Sequence, residues 1–486
     1  MSLTTVSGYL LAVSDKPALV LGDRALTFGQ LDDRSGRLAE VLEGMGAVAG
    51  RPVVAVLPNC FEFFEVSMAA AKLGAPFLPV NWHLKADELA YIVDDSGAEV
   101  AVAPGEVPGC RTLVVGDGYE EALAAAAGVP ARDAGPGPSL VFYTSGTTAR
   151  PKGVVHAGYA GEAIRAGMEG QVALWSWTPD DVHLLCGPAY HAGPCGWAHT
   201  ALFVGATTVI MPEWDARLWL GLVGRHRVTR AFMVPAHFIR ILEVPEADRA
   251  HFDLSSLRVI VHAAAPCPVA VKRRMLEWLA PTGCEIHELY GASEGGATRI
   301  SPREWLEHPG SVGTPWPGVE VRILDPGGAP VPAGEQGLIY VKPPGGRFFY
   351  QNDPDKTAEA WRDDAFTVGD IGYLDGEGYL YISDRASDMV LWGGVNIAPR
   401  EIEEVLYTHP EVIDCAVFGI PDERDGERLK AVVEARSDVA AEELAAFVRE
   451  RLADYKVPRT WELVGELPRD PNGKVLKRRL RDAHWA

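Results

Sequence analysis

Between Leu19 and about Ala103, short all-apolar runs such as Val53-Val54-Ala55-Val56-Leu57 alternate with longer stretches of helical spacing such as 61–73. A run too short for a helix and too uniformly apolar for a half-exposed strand predicts a strand buried on both faces, as in parallel sheets covered by helices. The rhythm returns between Val182 and Ile286, where Thr207-Thr208-Val209-Ile210-Met211 and Val259-Ile260-Val261 are expected as buried strands. From about Gly310 the texture changes. Gly and Pro punctuate β-like segments at 319–324 and 337–341, and Gly378-Tyr379-Leu380-Tyr381-Ile382 closes a stretch with the look of a smaller antiparallel unit. Beyond Arg385, helical patterns at 399–407 and 441–452 and a strand at 414–418 fit a compact α+β domain. The expected fold class is α/β. A large N-terminal domain of two α/β subdomains and a small β unit covers residues 1–384, and a small C-terminal α+β domain covers 385–486.

The 486-residue length exceeds what one core serves, which agrees with that division. The composition is ordinary for a globular chain, with 47% hydrophobic and 23% charged residues. A net charge of -21 argues against nonspecific binding to nucleic acid or an anionic membrane, so a polyanionic ligand must be met by local groups. Seven scattered cysteines without a C-x-x-C, no signal-peptide layout and no run of 18 apolar residues lead to the expectation of a cytoplasmic protein without a membrane span. Thirteen histidines include no H-E-x-x-H spacing, so no zinc site is expected.

One stretch concentrates chemistry. After the apolar Leu140-Val141-Phe142 comes Tyr143-Thr144-Ser145-Gly146-Thr147-Thr148-Ala149-Arg150-Pro151-Lys152-Gly153. Hydroxyls, glycines and a lysine crowd into a strand-to-loop transition whose N–H and O–H groups can converge on phosphate oxygens. Gly153 follows Lys152, so the stretch is not a Walker A loop.

The pattern YTSGTT-x-x-PKG resembles the signature of the adenylate-forming superfamily, which includes acyl-CoA synthetases, luciferases and peptide-synthetase adenylation domains. Further segments resemble that family in its order: Leu289-Tyr290-Gly291-Ala292-Ser293-Glu294, Val368-Gly369-Asp370, Asp384-Arg385 with Gly393-Gly394-Val395-Asn396-Ile397 and Glu401-Ile402-Glu403, and Pro471-Asn472-Gly473-Lys474. The resemblance implies ATP-dependent activation of a carboxylic acid to acyl-AMP with loss of pyrophosphate, then acyl transfer to CoA, with ATP, Mg²⁺ and CoA as the small partners. It implies that Thr144, Ser145, Gly146, Thr147 and Thr148 embrace the β- and γ-phosphates with support from Lys152. It places Ala264, Ala265, Pro266, Glu288, Leu289, Tyr290, Gly291 and Ser293 around adenine and the α-phosphate, Asp370 and Arg385 at the ribose, and Glu294 on Mg²⁺. Lys474 would bridge the substrate carboxylate and the α-phosphate. His191, Ala192 and Phe238 would line the acyl pocket, with His191 and Thr147 counted among the catalytic groups. The C-terminal domain would be a mobile lid with its hinge at about 385–387 and its pivot at Ser387, and Gly393 and Gly394 would let CoA's pantetheine pass.

Several positions depart from the pattern. Ala149 stands where glycine is common, Ser293 keeps a hydroxyl in place of threonine, Ser387 replaces aspartate or lysine, and Trp392 and Asp425 alter the surroundings expected for CoA. Segments such as Ala264-Ala265-Pro266-Cys267-Pro268 look like bacterial ligases for fatty, steroid-derived or other bulky acids. Transfer to an acyl carrier protein instead of CoA stays open, as does a homodimer; a noncatalytic nucleotide-binding protein is the alternative from another class.

Overall fold

The computed structural model describes residues 10, 13–129, 137–144, 150–156, 161–471 and 473–485. The chain divides into two compact units: Met1–Phe232 with Phe252–Arg258 and Gly345–Glu359, and Met233–His251 with Val259–Pro344 and Ala360–Ala486.

The first unit holds the parallel sheets that the apolar runs predict. Strands Val53–Val56, Phe77–Val80 and Val100–Ala103 are buried at every position and run parallel, joined at the edge by Arg111–Val114. Helix Phe61–Leu73 covers them, and every one of its residues except Glu62 is buried. A strand with no polar face and a helix with no polar face belong together, because each is covered on all sides. A second parallel set comprises Pro17–Leu21, Thr207–Ile210, Val182–Leu185 and Arg230–Met233. A small antiparallel sheet of Phe142–Thr144, Lys152–His156 and Phe348–Tyr350 completes the unit.

In the second unit, Val259–His262 and Glu285–Ala292 run parallel, and Glu285–Ala292 turns back antiparallel into Gly295–Ile300. The expected smaller antiparallel sheet is present as Glu320–Leu324, Gly337–Lys342, Asp370–Leu374 and Leu380–Arg385. The C-terminal α+β fold packs helices Pro399–Leu406 and Ala441–Arg449 on a sheet whose centre is the long pair Val412–Asp422 and Gly426–Ala435. The strand expected at 414–418 runs longer in both directions, because its ladder with Gly426–Ala435 continues from Val412 to Asp422, pairing that a hydropathy pattern does not show. No described helix is long and apolar enough to cross a membrane.

Candidate active site

Parallel α/β sheets bind ligands beyond the carboxyl ends of their strands. In the second unit those ends are His262, leading into Ala263-Ala264-Ala265-Pro266, and Tyr290-Gly291-Ala292. Ala264 is exposed and has φ 72°, a left-handed conformation that an alanine holds only at a cost of about 1–2 kcal/mol. Strain of this kind gathers at binding walls, and nothing in the residue types Ala-Ala-Pro announces it. Ser293 and Glu294 are the two residues of the hairpin turn between Glu285–Ala292 and Gly295–Ile300, so both project from the end of the sheet. Glu288 is buried lower on the same strand, where the fully buried Lys272 donates to it at 2.6 Å.

Asp370 opens the strand Asp370–Leu374 and lies opposite Arg385 in the antiparallel register. The Tyr290 hydroxyl donates to its Oδ2 at 2.7 Å, and Arg385 Nε lies 3.3 Å from its Oδ1. Tyr290 is thereby fixed by its hydroxyl, and burial followed by the Asp370 charge pushes its pKa well above the ordinary value. One second-unit cluster thus holds Tyr290, Asp370 and Arg385, three residues separated by up to 95 positions in sequence.

Lys474 joins them. Its pKa is lowered from 10.5, first by desolvation and then by the Arg385 charge, against the opposing effects of Asp470, Asp388 and Asp370. The side chain is nonetheless exposed. The loop is braced from within. Asp470 Oδ1 accepts from the Lys474 backbone N–H at 2.9 Å, and Arg469 Nη1 donates to the Gly473 carbonyl at 2.9 Å. Asn472 lies outside the described residues.

The first unit carries the remaining positions. Thr144 ends the strand Phe142–Thr144 opposite Lys152, and Lys152 Nζ sits 4.7 Å above the Tyr350 ring. Ser145, Gly146, Thr147, Thr148 and Ala149 lie outside the described residues. Tyr143 anchors the hairpin that brackets them by donating to Asp95 Oδ2 at 2.6 Å, a partner at a sequence distance no motif reveals. His191 caps helix Ala192–Val204, and its ring lies 4.7 Å from that of Tyr190. Phe238 belongs to the second unit, where it is fully buried with its ring edge-on to His262 at 5.0 Å.

Gly393 and Gly394 have φ of 54° and 87° and occupy the tip of the hairpin Val390–Trp392/Val395–Ile397. A two-residue hairpin with positive φ at both central positions requires glycine or asparagine for its turn alone. Trp392 stacks near Tyr455 at 6.2 Å beneath this tip, and Leu391 and Val395 are exposed beside it. Ser387 is exposed, and its carbonyl accepts from Arg481 Nη1 at 3.1 Å.

Residues 12–346 match the AMP-binding enzyme family, and residues 401–474 match the AMP-binding enzyme C-terminal domain. Feruloyl-CoA synthase of an Amycolatopsis species is 35% identical over 95% of this chain and 94% of its own. The fatty acid–[acyl-carrier-protein] ligase ScoC of Streptomyces coeruleorubidus is 33% identical over 96% and 93%. Among solved structures, o-succinylbenzoate coenzyme A synthetase (MenE) of Bacillus subtilis, in complex with ATP and magnesium ion, superposes with a TM-score of 0.83 at 27% identity, covering 97% of this chain and 98% of that one. A family match across most of the chain and relatives above 30% identity along nearly its whole length show that this chain is a member of the AMP-binding enzyme family.

Proposed function

We propose that the chain is an AMP-forming acid–thiol ligase, which activates a fatty or bulky apolar carboxylic acid with ATP and passes the acyl group to CoA. In the first step a carboxylate oxygen bonds to the α-phosphorus while the bond to the β-phosphate breaks and pyrophosphate leaves with its electron pair. In the second, a thiol sulfur attacks the acyl carbonyl, its proton is lost, and AMP departs. The observation that supports this reading is the cluster of Tyr290, Asp370 and Arg385, whose charges act on Lys474. Two anions must meet in the first step, so a cation able to touch both is the group the chemistry most needs.

Asp370, already oriented by Tyr290 and Arg385, keeps lone pairs for the ribose hydroxyls. Thr144 and Lys152 flank the phosphate-binding segment, and Ser293 stands near the α-phosphate. His191 and Ala192 line the acid's carboxylate end. Mg²⁺ fits the donor set: among the described residues no three His, Cys, Asp or Glu side chains gather as a metal cage, and Glu294 offers the single carboxylate that this ion takes alongside phosphate oxygens. Bound there, Mg²⁺ neutralises phosphate charge.

Ser387 is the pivot of the C-terminal residues in this reading, and the hairpin tip at Gly393-Gly394 is the acceptor side. The second reading, delivery to a carrier protein in place of CoA, is favoured by the acyl-carrier-protein ligase among the relatives and by the exposed Leu391 and Val395 beside that tip. A panel of dodecanoate, ferulate and cholate assayed for ATP–pyrophosphate exchange and for AMP release with and without CoA separates the two: AMP release that depends on CoA supports the first reading, and acid-dependent exchange with no CoA-stimulated AMP release supports the second. Within the active pair, Lys474→Ala is expected to abolish acid-dependent ATP–pyrophosphate exchange while sparing thioester formation from preformed acyl-AMP; equal loss of both contradicts the role given to Lys474.

A further inference from the structure

Resting on the reading of Lys474 above, we propose that Arg240 is a positioning residue for the acid-activating step, acting through Glu434 and Arg469 on the loop that carries Lys474. Arg240 lies on helix Pro235–Glu243, distant in sequence from every motif of the site. Its guanidinium grips the Glu434 carboxylate with both ends, Nη1 to Oε1 at 2.5 Å and Nη2 to Oε2 at 3.3 Å. Glu434, on strand Gly426–Ala435, is 3% exposed and also accepts from the Leu467 backbone N–H at 3.3 Å. Arg469 Nη2 lies 3.9 Å from Glu434 and pairs with the buried Asp414, while its Nη1 donates to the carbonyl of Gly473. That carbonyl belongs to the peptide leading into Lys474. A continuous polar path therefore runs from Arg240 through Glu434 and Arg469 to the backbone of the lysine loop.

Two other contacts join the same helix to the same C-terminal residues. Arg436 forks onto Glu243 at the helix's last position. Gly473 approaches the first turn so closely that an added Cβ would lie 2.9 Å from the Ala236 Cβ. Helix Pro235–Glu243 is thus touched by the loop at one end and tied by two guanidinium–carboxylate pairs to Glu434 and Arg436, at the end of the strand that Arg469 joins to the loop.

A purely stabilising role explains this arrangement less well. Buried carboxylates such as Glu434 and Asp414 carry a desolvation cost that their pairing offsets without clear net gain, and apolar residues would fill the same space. What paired, bidentate charges supply is direction, because a fork accepts its partner in one plane and at one distance. Displacing the loop by an ångström would take the Lys474 ammonium out of reach of one of its two anions.

The experiment compares Arg240→Gln, Arg240→Lys, Arg240→Glu, Glu434→Arg and the exchanged pair Arg240→Glu/Glu434→Arg with Lys474→Ala. Two reactions are measured, using the most active acid of the panel above and its synthetic acyl-AMP. Arg240→Gln is expected to lower kcat of acid-dependent ATP–pyrophosphate exchange roughly 10- to 100-fold, with KM for ATP and thioester formation from acyl-AMP each within about twofold of the parent. Arg240→Lys restores part of the loss, since a point charge cannot fork, and the exchanged pair restores more than either single change does. Loss of both reactions in proportion, with a lowered melting temperature, reduces Arg240 to a structural residue and overturns the proposal. So does an Arg240→Gln protein with unchanged exchange, provided Lys474→Ala has lost it. If Lys474→Ala itself retains exchange, the reading of Lys474 falls and this proposal with it.

Discussion

In the proposed reading Lys474 combines two demands that pull against one another: it must stay charged to bridge two anions, and it feels the charge of Arg385, another cation. The structure resolves the conflict through Asp470, Asp388 and Asp370, whose charges raise the lysine pKa against desolvation and Arg385, yet the net direction remains downward from 10.5. The sign of the consequence is definite. A lysine whose pKa is lowered loses its proton at a lower pH than a free one, so acid-dependent pyrophosphate exchange should fall on the alkaline side below the pH at which an ordinary lysine titrates. Thioester formation from acyl-AMP should lack that limb. Arg385→Gln removes the second cause of the depression and should move the limb upward, although it also weakens ribose binding and so raises KM for ATP. Profiles of kcat against pH for the parent and this variant provide the check, and a limb that does not move detaches Lys474 from the alkaline titration.

The hairpin Asp370–Leu374/Leu380–Arg385 shows how an element turns separate residues into a site. Its register sets Asp370 across from Arg385, and an irregularity between Ile371 and Gly372 shifts the pairing just beyond them. A Cβ on Gly372 would lie 2.2 Å from the Tyr381 carbonyl oxygen, a backbone atom that cannot step aside. Gly372→Ala should therefore force the two strands apart, destabilising the fold by about 1–3 kcal/mol and raising KM for ATP through Asp370. Denaturant midpoints together with ATP kinetics measure both, and a variant with parental values of each would show that the strands part without cost. In the sequence, Ile371-Gly372 looks equally like a turn, and the ladder that makes it a strand lies in partners read only from the fold. The same division of legibility holds elsewhere. Uniform apolar runs such as Val53–Val56 identify themselves because burial on both faces leaves no room for polar residues. Gly393-Gly394 is marked by the family resemblance, whereas its hairpin geometry lies in the flanking pairs. The path from Arg240 to Glu434 and the anchor from Tyr143 to Asp95 left no trace in local spacing, since ion pairs and single hydrogen bonds between remote residues have no periodicity. Local motifs carry no record of the remote partners that hold Tyr290, Tyr143 and Arg240.

Across the whole molecule, both units bury histidines in their neutral form. Desolvation lowers the pKa of His183 to about 3 and His199 to about 4 in the first unit, and of His237 to about 3 in the second, while His262 is held well below its ordinary value by burial and then by Lys272. In the unfolded chain each titrates near 6.5. Between these limits the unfolded state binds the extra protons, so stability is complete above about pH 6.5 and declines as pH falls toward the folded values, by about 1.4 kcal/mol per pH unit for each histidine. Buried carboxylates work the other way. Glu65, Glu403 and Glu404 have raised pKa values, first through desolvation, and so favour the folded state as pH falls. Their contribution grows where the folded carboxylates take up protons and opposes the loss from the histidines. Urea unfolding between pH 7.5 and 5 should show midpoints that decline steadily, with each unit's transition followed separately because two units need not unfold together. His183→Phe keeps a ring beside Trp177 and Trp197, which lie 5.9 and 6.1 Å away, and removes one proton acceptor. It should reduce the proton uptake of the first unit on unfolding by about one, and an unchanged slope would mean that His183 is already charged in the folded protein.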